Sequence, residues 1–298
     1  MCLDYYGHLW TAPHRKERKL IDFTCSFRLR FPGLDRKIIS IACGFLHVIF
    51  LQEGSVVWGM GNNSKNQLTN VHGDVPQRLN AVMDSPIKDV KCGNYHSLIL
   101  CDIGSLWGCG SNEQSQILNS GMKIVSEFTR MDTRNVPVDS VSAACNRTVI
   151  LTSEGELYFR GELCGEKKKT RKFKKITGAA CVSNVFCVDG ATMWIDEKKD
   201  LWGIGDLTSF GGKYTEVAEL LQIRTRLLEL TRKCGCVVIQ EVNSLILWSS
   251  HVRNAPLIEL TPKGLEFGPR DAWDANVFIQ MENSRSLYVR STFKSIRF

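Results

Sequence analysis

The chain has 298 residues, 43 % hydrophobic and 23 % charged, an ordinary globular balance. At this length most of the unfolded surface can be buried, so the fold requires neither metal nor disulfides. Basic residues outnumber acidic ones by 38 to 31; no apolar run approaches the roughly 18 residues of a membrane span, and Met1-Cys2-Leu3-Asp4-Tyr5-Tyr6 lacks the basic-then-apolar order of a secretion signal.

Taken in chain order, Met1 to Trp10 reads as two short strands turning at Tyr6-Gly7. A basic run follows, with His14, Arg15, Lys16, Arg18 and Lys19. From Cys43 to Trp58 the chain runs through an apolar stretch, the turn Glu53-Gly54 and a second strand ending on the tryptophan. Cys92 to Trp107 repeats this without a gap, and so do Ala143 to Tyr158 and Cys187 to Trp202. Weaker copies run from Cys234 to Trp248 and from Trp273 to Tyr288. Self-similarity at this period marks a solenoid or a propeller. The unit aromatics are Trp10, Trp58, Trp107, Tyr158, Trp202, Trp248 and Tyr288, spaced 40 to 51 residues apart. Seven aromatics imply seven units.

Within a unit, Leu98-Ile99-Leu100 is a buried strand and Ser105-Leu106-Trp107 resumes the sheet after a tight turn. Gly54, Gly104 and Gly155 supply the positive φ that such a hairpin needs. Lys199 stands at that position in the fourth copy, where a different turn is expected. Glycine pairs after the aromatic, such as Gly59 and Gly61 or Gly108 and Gly110, are expected to let strands of neighbouring blades approach closely. The segment 217–230 reads as either a short helix or two outer strands. Phe293 to Phe298 overlays the strand Ile87 to Cys92 that opens a unit, and Met1 to Trp10 overlays Leu98 to Trp107. The two ends together rebuild one unit.

The expected fold is therefore all-β: a single seven-bladed β-propeller over 1–298, closed by pairing of its N- and C-terminal strands in one blade. Its sequence units run approximately 11–58, 59–107, 108–158, 159–202, 203–248 and 249–288, with a shared blade from 289–298 plus 1–10.

Cys43-Gly44-Phe45-Leu46-His47 and Cys92-Gly93-Asn94-Tyr95-His96 resemble the Cys-Gly-x-x-His signature of the regulator of chromosome condensation repeat family. Gly61-Asn62-Asn63-Ser64-Lys65-Asn66-Gln67-Leu68 and Gly110-Ser111-Asn112-Glu113-Gln114-Ser115-Gln116-Ile117 resemble its Gly-x-Asn-x-x-Gly-Gln-Leu signature. The glycine before glutamine is replaced by Asn66 and Ser115, and later units keep the spacing while losing the consensus. The chain resembles a divergent, single-propeller member.

Candidates for chemistry are few. Cys43, Cys92, Cys187 and Cys234 recur at one repeat position on different blades, where a small buried residue is wanted. Cys234-Gly235-Cys236 is a close pair without a matching second pair. Reduced, structural cysteines are expected, in a reducing compartment. His47 and His96 also recur with the repeat, Arg147 and Ala191 replacing them in the next two units, which fits structural hydrogen bonding better than acid–base work. No nucleophile signature accompanies them, so no catalytic, cofactor or metal residue is assigned. The chief non-repeat feature is Lys167, Lys168, Lys169, Arg171, Lys172, Lys174 and Lys175, expected in a projecting connection as a partner-binding patch, a nuclear-import signal, or simply a solvated loop. Direct nucleic-acid binding is not expected, since Phe173 alone offers stacking there.

The leading functional expectation is a non-enzymatic protein-interaction module, an adaptor or regulatory subunit acting as a monomeric propeller in the cytoplasm, the nucleus or both. The resemblance implies an alternative, guanine-nucleotide exchange on a Ran-like small GTPase by acidic and polar rim residues and a protruding β-wedge. No wedge segment can be matched here. A chromatin-associated role is a further alternative, compatible with either.

Overall fold

The run Leu98-Ile99-Leu100 is buried on every side, as are all six residues of the strand His96–Cys101 that contains it. A strand buried on both faces must be sandwiched, and the fold supplies the sandwich. In the computed structural model residues 31–221 are described, apart from 34, 135, 163–169, 189 and 208–212, and outside that span only the backbone of short strands. Among the described residues there are seven antiparallel sheets, four of them four-stranded, and the architecture is an all-β propeller.

We number the sheets I to VII in chain order. Sheet II comprises Ile38–Cys43, His47–Gln52, Val56–Gly61 and Gly73–Arg78, paired in sequence order. Sheet III repeats this with Ile87–Cys92, His96–Cys101, Leu106–Ser111 and Ile124–Arg130. Sheet IV has Val138–Ala144, Arg147–Thr152, Leu157–Gly161 and Thr170–Lys175. Sheet V has Val182–Val188, Ala191–Asp196, Leu201–Asp206 and Tyr214–Leu220. Sheet VI begins with Leu227–Lys233. Opening strands of successive sheets touch one another, so they are the inner ones. A sequence unit ends at its aromatic, whereas a sheet also takes in the outer strand beyond, so sheet II draws on both 11–58 and 59–107.

Sheet I contains Cys2–Leu3, Leu9–Thr11 and Phe27–Arg28 and adjoins the inner strand of sheet II. Residues 293–298, expected to complete this blade, lie outside the described residues, as does the run His14 to Lys19. The segment 217–230 resolves into two strands, the outer one of sheet V and the inner one of sheet VI.

The core is interleaved between sheets. Phe186, Met193, Ile195 and Leu207 form one cluster, and Ala144, Val149, Phe159, Val185 and Trp194 another, spanning sheets IV and V. The repeat aromatics lie at the margin of the core clusters, Trp58 with Ile38 and Phe50 and the others packed against theirs. Trp58 is just buried, while Trp107, Tyr158 and Trp202 are half-buried on the third strands. Each turns its polar tip to the adjacent hairpin: Trp58 donates to Gln52 Oε1 (3.0 Å), Trp107 to Ser105 Oγ (3.3 Å), Trp202 to Asp196 Oδ2 (3.0 Å) and Tyr158 to Glu156 Oε2 (2.7 Å). Trp10, Trp248 and Tyr288 fall in described strands whose side chains are not described.

The turn at Lys199 is the same as its siblings. Gly104, Gly155 and Lys199 have φ of 80°, 73° and 69°, and each donates its amide to the carbonyl three residues back. A lysine thus holds a left-handed conformation that costs an L-residue about 1–2 kcal/mol. The same holds at Ser115, φ 61°, and Asn66, φ 58°, where the family signature has glycine. Part of that strain is offset by glycine's freedom in the unfolded chain, so Lys199→Gly and Ser115→Gly should each raise stability by about 0.5–1 kcal/mol. Denaturant midpoints read this directly, and a lowered midpoint would rule it out.

Candidate functional site

The loops joining first to second strands lie on one face and are built by the Cys-Gly-x-x-His phrase. The His47 and His96 rings lie over the preceding glycines so closely that a Cβ on Gly44 or Gly93 would sit 2.0 Å from the ring Cε1. Each ring then reaches into the next sheet, with Nε2 3.1 Å from Ser97 Oγ and 3.3 Å from Thr148 Oγ1 respectively. Those hydroxyls donate to the Gln67 and Gln116 carbonyls, at 2.7 and 2.9 Å. A hydroxyl proton already committed leaves the oxygen as acceptor, which assigns the protonated nitrogen of both histidines as Nε2. Arg147, at the histidine position of sheet IV, instead donates to the Val188 and Ala191 carbonyls of sheet V.

Backbone bonds reinforce this locking. The Phe45 amide donates to Asn94 O (3.0 Å), and the Asn94 amide donates to Cys145 O (3.0 Å), equivalent positions on consecutive sheets. The longer loops on the same face are closed from within. Asn63 accepts from the Leu68 amide and donates to Thr69 O, and Asn112 accepts from the Ile117 and Leu118 amides. Gly61 and Gly110 are needed for approach to the loop of their own sheet, since a Cβ there would lie 2.4 Å from Leu46 O and 2.5 Å from Tyr95 O. Contact with the neighbouring sheet is second to this, at 3.1 Å from Gln67 Cα in the case of Gly110.

Burial lowers the pKa of His47 to about 4 and of His96 to about 3. Both are neutral in the folded protein at pH 7 and take up protons only in the unfolded chain below about 6.5. Stability is therefore complete above pH 6.5 and falls with acidification, by up to about 1.4 kcal/mol per histidine per pH unit, until the folded values are reached. Melting temperatures of the wild type and of His47→Asn/His96→Asn should converge as pH drops from 6.5 to 4; parallel curves would contradict the assignment.

On this rigid face Phe45 is 62 % and Leu46 57 % exposed, and the Phe45 ring lies against Tyr95 with centroids 5.7 Å apart. Sequence reading passed over these residues because they occupy the variable positions of the signature. Their exposure is the signal that finds them.

The basic segment is not a projecting loop over its whole length. Residues 170–175 form the outer strand of sheet IV, with Phe173 buried and Arg171, Lys172, Lys174 and Lys175 exposed. One inward aromatic among outward cations is what a half-buried edge strand requires. Lys175 pairs with Glu156, and Lys174 Nζ lies 5.9 Å from the Phe159 ring centroid. Lys167, Lys168 and Lys169 lie outside the described residues. Arg160 is buried beside this strand, donates from Nε to Ser115 O (2.7 Å), stacks 5.8 Å from the Phe173 centroid and has its pKa lowered by burial to about 10.

Cysteines 92, 101, 109, 181 and 187 are free thiols, and no metal-ligating cluster occurs among the described residues. Cys92 and Cys187 are buried as expected of their repeat position, and burial raises the Cys92 and Cys109 thiol pKa values, which makes both inert. Cys43 is exposed instead. Cys92 is covered by the preceding sheet, where its thiol donates to Ala42 O, and the equivalent cover for Cys43 would come from sheet I, whose side chains are not described. Cys234 and Cys236 side chains are likewise outside the described residues. Among those residues no helix is long and apolar enough to cross a membrane.

Radially stacked four-stranded sheets, locked each to the next through their inner loops, define a β-propeller. The regulator of chromosome condensation (RCC1) repeat matches residues 55–100, and a second form of it residues 87–116. Residues 55–116 thus carry RCC1-type repeats, and the sheets beyond them keep the blade pattern without matching the repeat. Its fold is similar to that of human WBSCR16 (TM-score 0.65, 18 % identity, 76 % of this chain and 66 % of that one). It is also similar to yeast RCC1 (Prp20) bound to Kap60 (TM-score 0.62, 16 % identity, 84 % and 63 %). Prp20p from Saccharomyces cerevisiae, studied with its binding to Gsp1p and histones, gives a TM-score of 0.60 at 17 % identity, over 84 % and 65 %. The chain thus spans just under two thirds of the length of each, and at such identities the likeness is one of fold. Comparison with curated protein sequences finds no match.

Proposed function

We propose that the chain is a non-enzymatic protein-interaction module, an adaptor or regulatory subunit working in the cytoplasm, the nucleus or both. The observation that carries this reading is the exposed pair Phe45 and Leu46 beside Tyr95, held on loops that the inter-sheet bonds make rigid. Large apolar groups fixed on an ordered face gain free energy when a partner covers them and lose little conformational freedom in doing so. Their surroundings contain buried neutral histidines engaged in structural bonds, not groups poised for proton transfer.

A second reading, nucleotide exchange on a Ran-like GTPase, is supported by the shared fold with Prp20p, whose binding to Gsp1p was studied. The two readings differ in a measurable way. Exchange requires preference for the nucleotide-free GTPase over the loaded one, since only differential affinity shifts an equilibrium. Under the adaptor reading, micromolar protein leaves fluorescent-nucleotide release from Ran-like GTPases at its uncatalysed rate. Affinity purification from the native cell recovers a partner that Phe45→Ser/Leu46→Ser loses, with an unchanged melting curve. Hundredfold faster nucleotide release would replace the adaptor reading with the exchange reading, and full capture by the double variant would move the interface elsewhere.

A further inference from the structure

In each of the four-stranded sheets II to V the outer strand breaks register at the same place. Pairing jumps from Gly59–Gln77 to Gly61–Gly73 in sheet II, and from Gly108–Thr129 to Gly110–Val125 in sheet III. It jumps from Phe159–Lys174 to Gly161–Thr170 in sheet IV, and from Gly203–Glu219 to Gly205–Thr215 in sheet V. Three outer-strand residues therefore oppose one on the third strand, a bulge that bends the strand and re-aims its side chains. The triplets are Asp74-Val75-Pro76, Ser126-Glu127-Phe128, Arg171-Lys172-Phe173 and Glu216-Val217-Ala218. In each, the first two residues are exposed and the third is buried or half-buried. The bulge thus sets a pair of projecting side chains on the rim of each four-stranded blade.

Three of those pairs carry one carboxylate each, Asp74, Glu127 and Glu216; the fourth carries two cations, Arg171 and Lys172. Lysines on edge strands commonly prevent edge-to-edge pairing. That does not account for this pair, because the other three bulged outer strands manage their edges without cations at the same positions. An open depression of about 680 Å³ lies beside the pair, where Arg171 to Lys175 meet Tyr158, Asn119 and Arg134. Of the carboxylates nearby, Glu156 is already matched by Lys175 and by the Tyr158 hydroxyl, and Glu154 acts on that same Lys175–Tyr158 end of the strand. Arg134, Arg171 and Lys172 form no ion pair among the described residues.

We propose that this depression on the rim between sheets III and IV docks an acidic, extended segment of a partner protein, with Arg171 and Lys172 as its principal contacts. The proposal rests on the interaction-module reading and specifies the chemistry of one ligand. The bulge interrupts the ladder that an added strand would need, so charge rather than backbone pairing provides recognition. Phe173 is buried and Tyr158 is a single half-buried ring, whereas single-stranded nucleic acid stacks successive bases on several aromatic faces.

The test uses the full chain and a fluorescein-labelled peptide of Glu and Asp with Gly and Ser spacers, read by anisotropy at low salt. Saturable binding is expected, weakened at least tenfold in Arg171→Glu/Lys172→Glu and severalfold in Arg171→Gln/Lys172→Gln, with melting curves unchanged. Lys198→Glu/Lys213→Glu, which alters net charge equally at exposed positions elsewhere, should bind the peptide to within about twofold of wild type once both share the same ionic strength. Absence of binding, an equal loss in the Lys198/Lys213 variant, or duplex DNA of matched charge binding more tightly through the same two residues would overturn the proposal. Should Arg171→Glu/Lys172→Glu still capture the native partner while the peptide fails to bind, the groove is excluded and the module reading stands.

Discussion

Replacing Trp194 with alanine is expected to cost about 3–5 kcal/mol, the range for emptying a buried aromatic site. Trp194 is 1 % exposed on the second strand of sheet V, packed in the cluster that joins sheets IV and V. Its cross-strand partner Trp202 is half-buried and bonded at its tip to Asp196. Loss of Trp202 leaves an opening that solvent can enter instead of a void, so Trp202→Ala should cost about 1–2 kcal/mol. Chemical denaturation of the two variants decides the matter. Equal losses would mean that the sheet-to-sheet core does not depend on Trp194 in the way the packing implies.

The second large effect is expected at Gly93. A methyl group there would meet the His96 ring at 2.0 Å and the Cys145 carbonyl at 2.9 Å. The ring cannot withdraw without breaking its bond to Thr148, so Gly93→Ala should cost about 3 kcal/mol, at the upper end of overpacking. The chain itself shows the remedy. Where Arg147 replaces the histidine, alanine stands at the glycine position as Ala144, and where Ala191 replaces it, the residue is Val188. In Gly93→Ala/His96→Ala the clash disappears, and the pair should cost about 1–2 kcal/mol less than the sum of the single changes. Strict additivity would show that ring and glycine are not coupled.

These two cases show how far the sequence could be read. The blades, the hairpin glycines and the inner loops follow from self-similarity, because each unit repeats the same physical problem of packing between two neighbours. Trp194 escaped notice because the second strand is buried on both faces, so no alternation separates it from the residues beside it. The repeat aromatics stood out in the sequence, yet their half-exposed placement depends on the flank of a third strand, which no single unit reveals. The strand 170–175 was hidden by its charge density, since Phe173 alone turns inwards. Lys199 looked like a changed turn because composition does not record φ, and the surrounding hairpin keeps the backbone in place at the residue's expense. Phe45 and Leu46 were passed over for the opposite reason: a repeat signature draws attention to what is shared, and these two positions differ between copies.

The two amide-to-carbonyl bonds between inner loops have a direction, Phe45 to Asn94 and Asn94 to Cys145, each donated from one sheet to the next along the chain. During synthesis the loop bearing Phe45 leaves the ribosome before its acceptor, the Asn94 carbonyl, exists. At about 5–20 residues per second that interval lasts roughly 2–10 s. Sheets II and III are therefore each braced only by the arrival of the sheet that follows, with the apolar loop tip at Phe45 and Leu46 unbraced in the meantime.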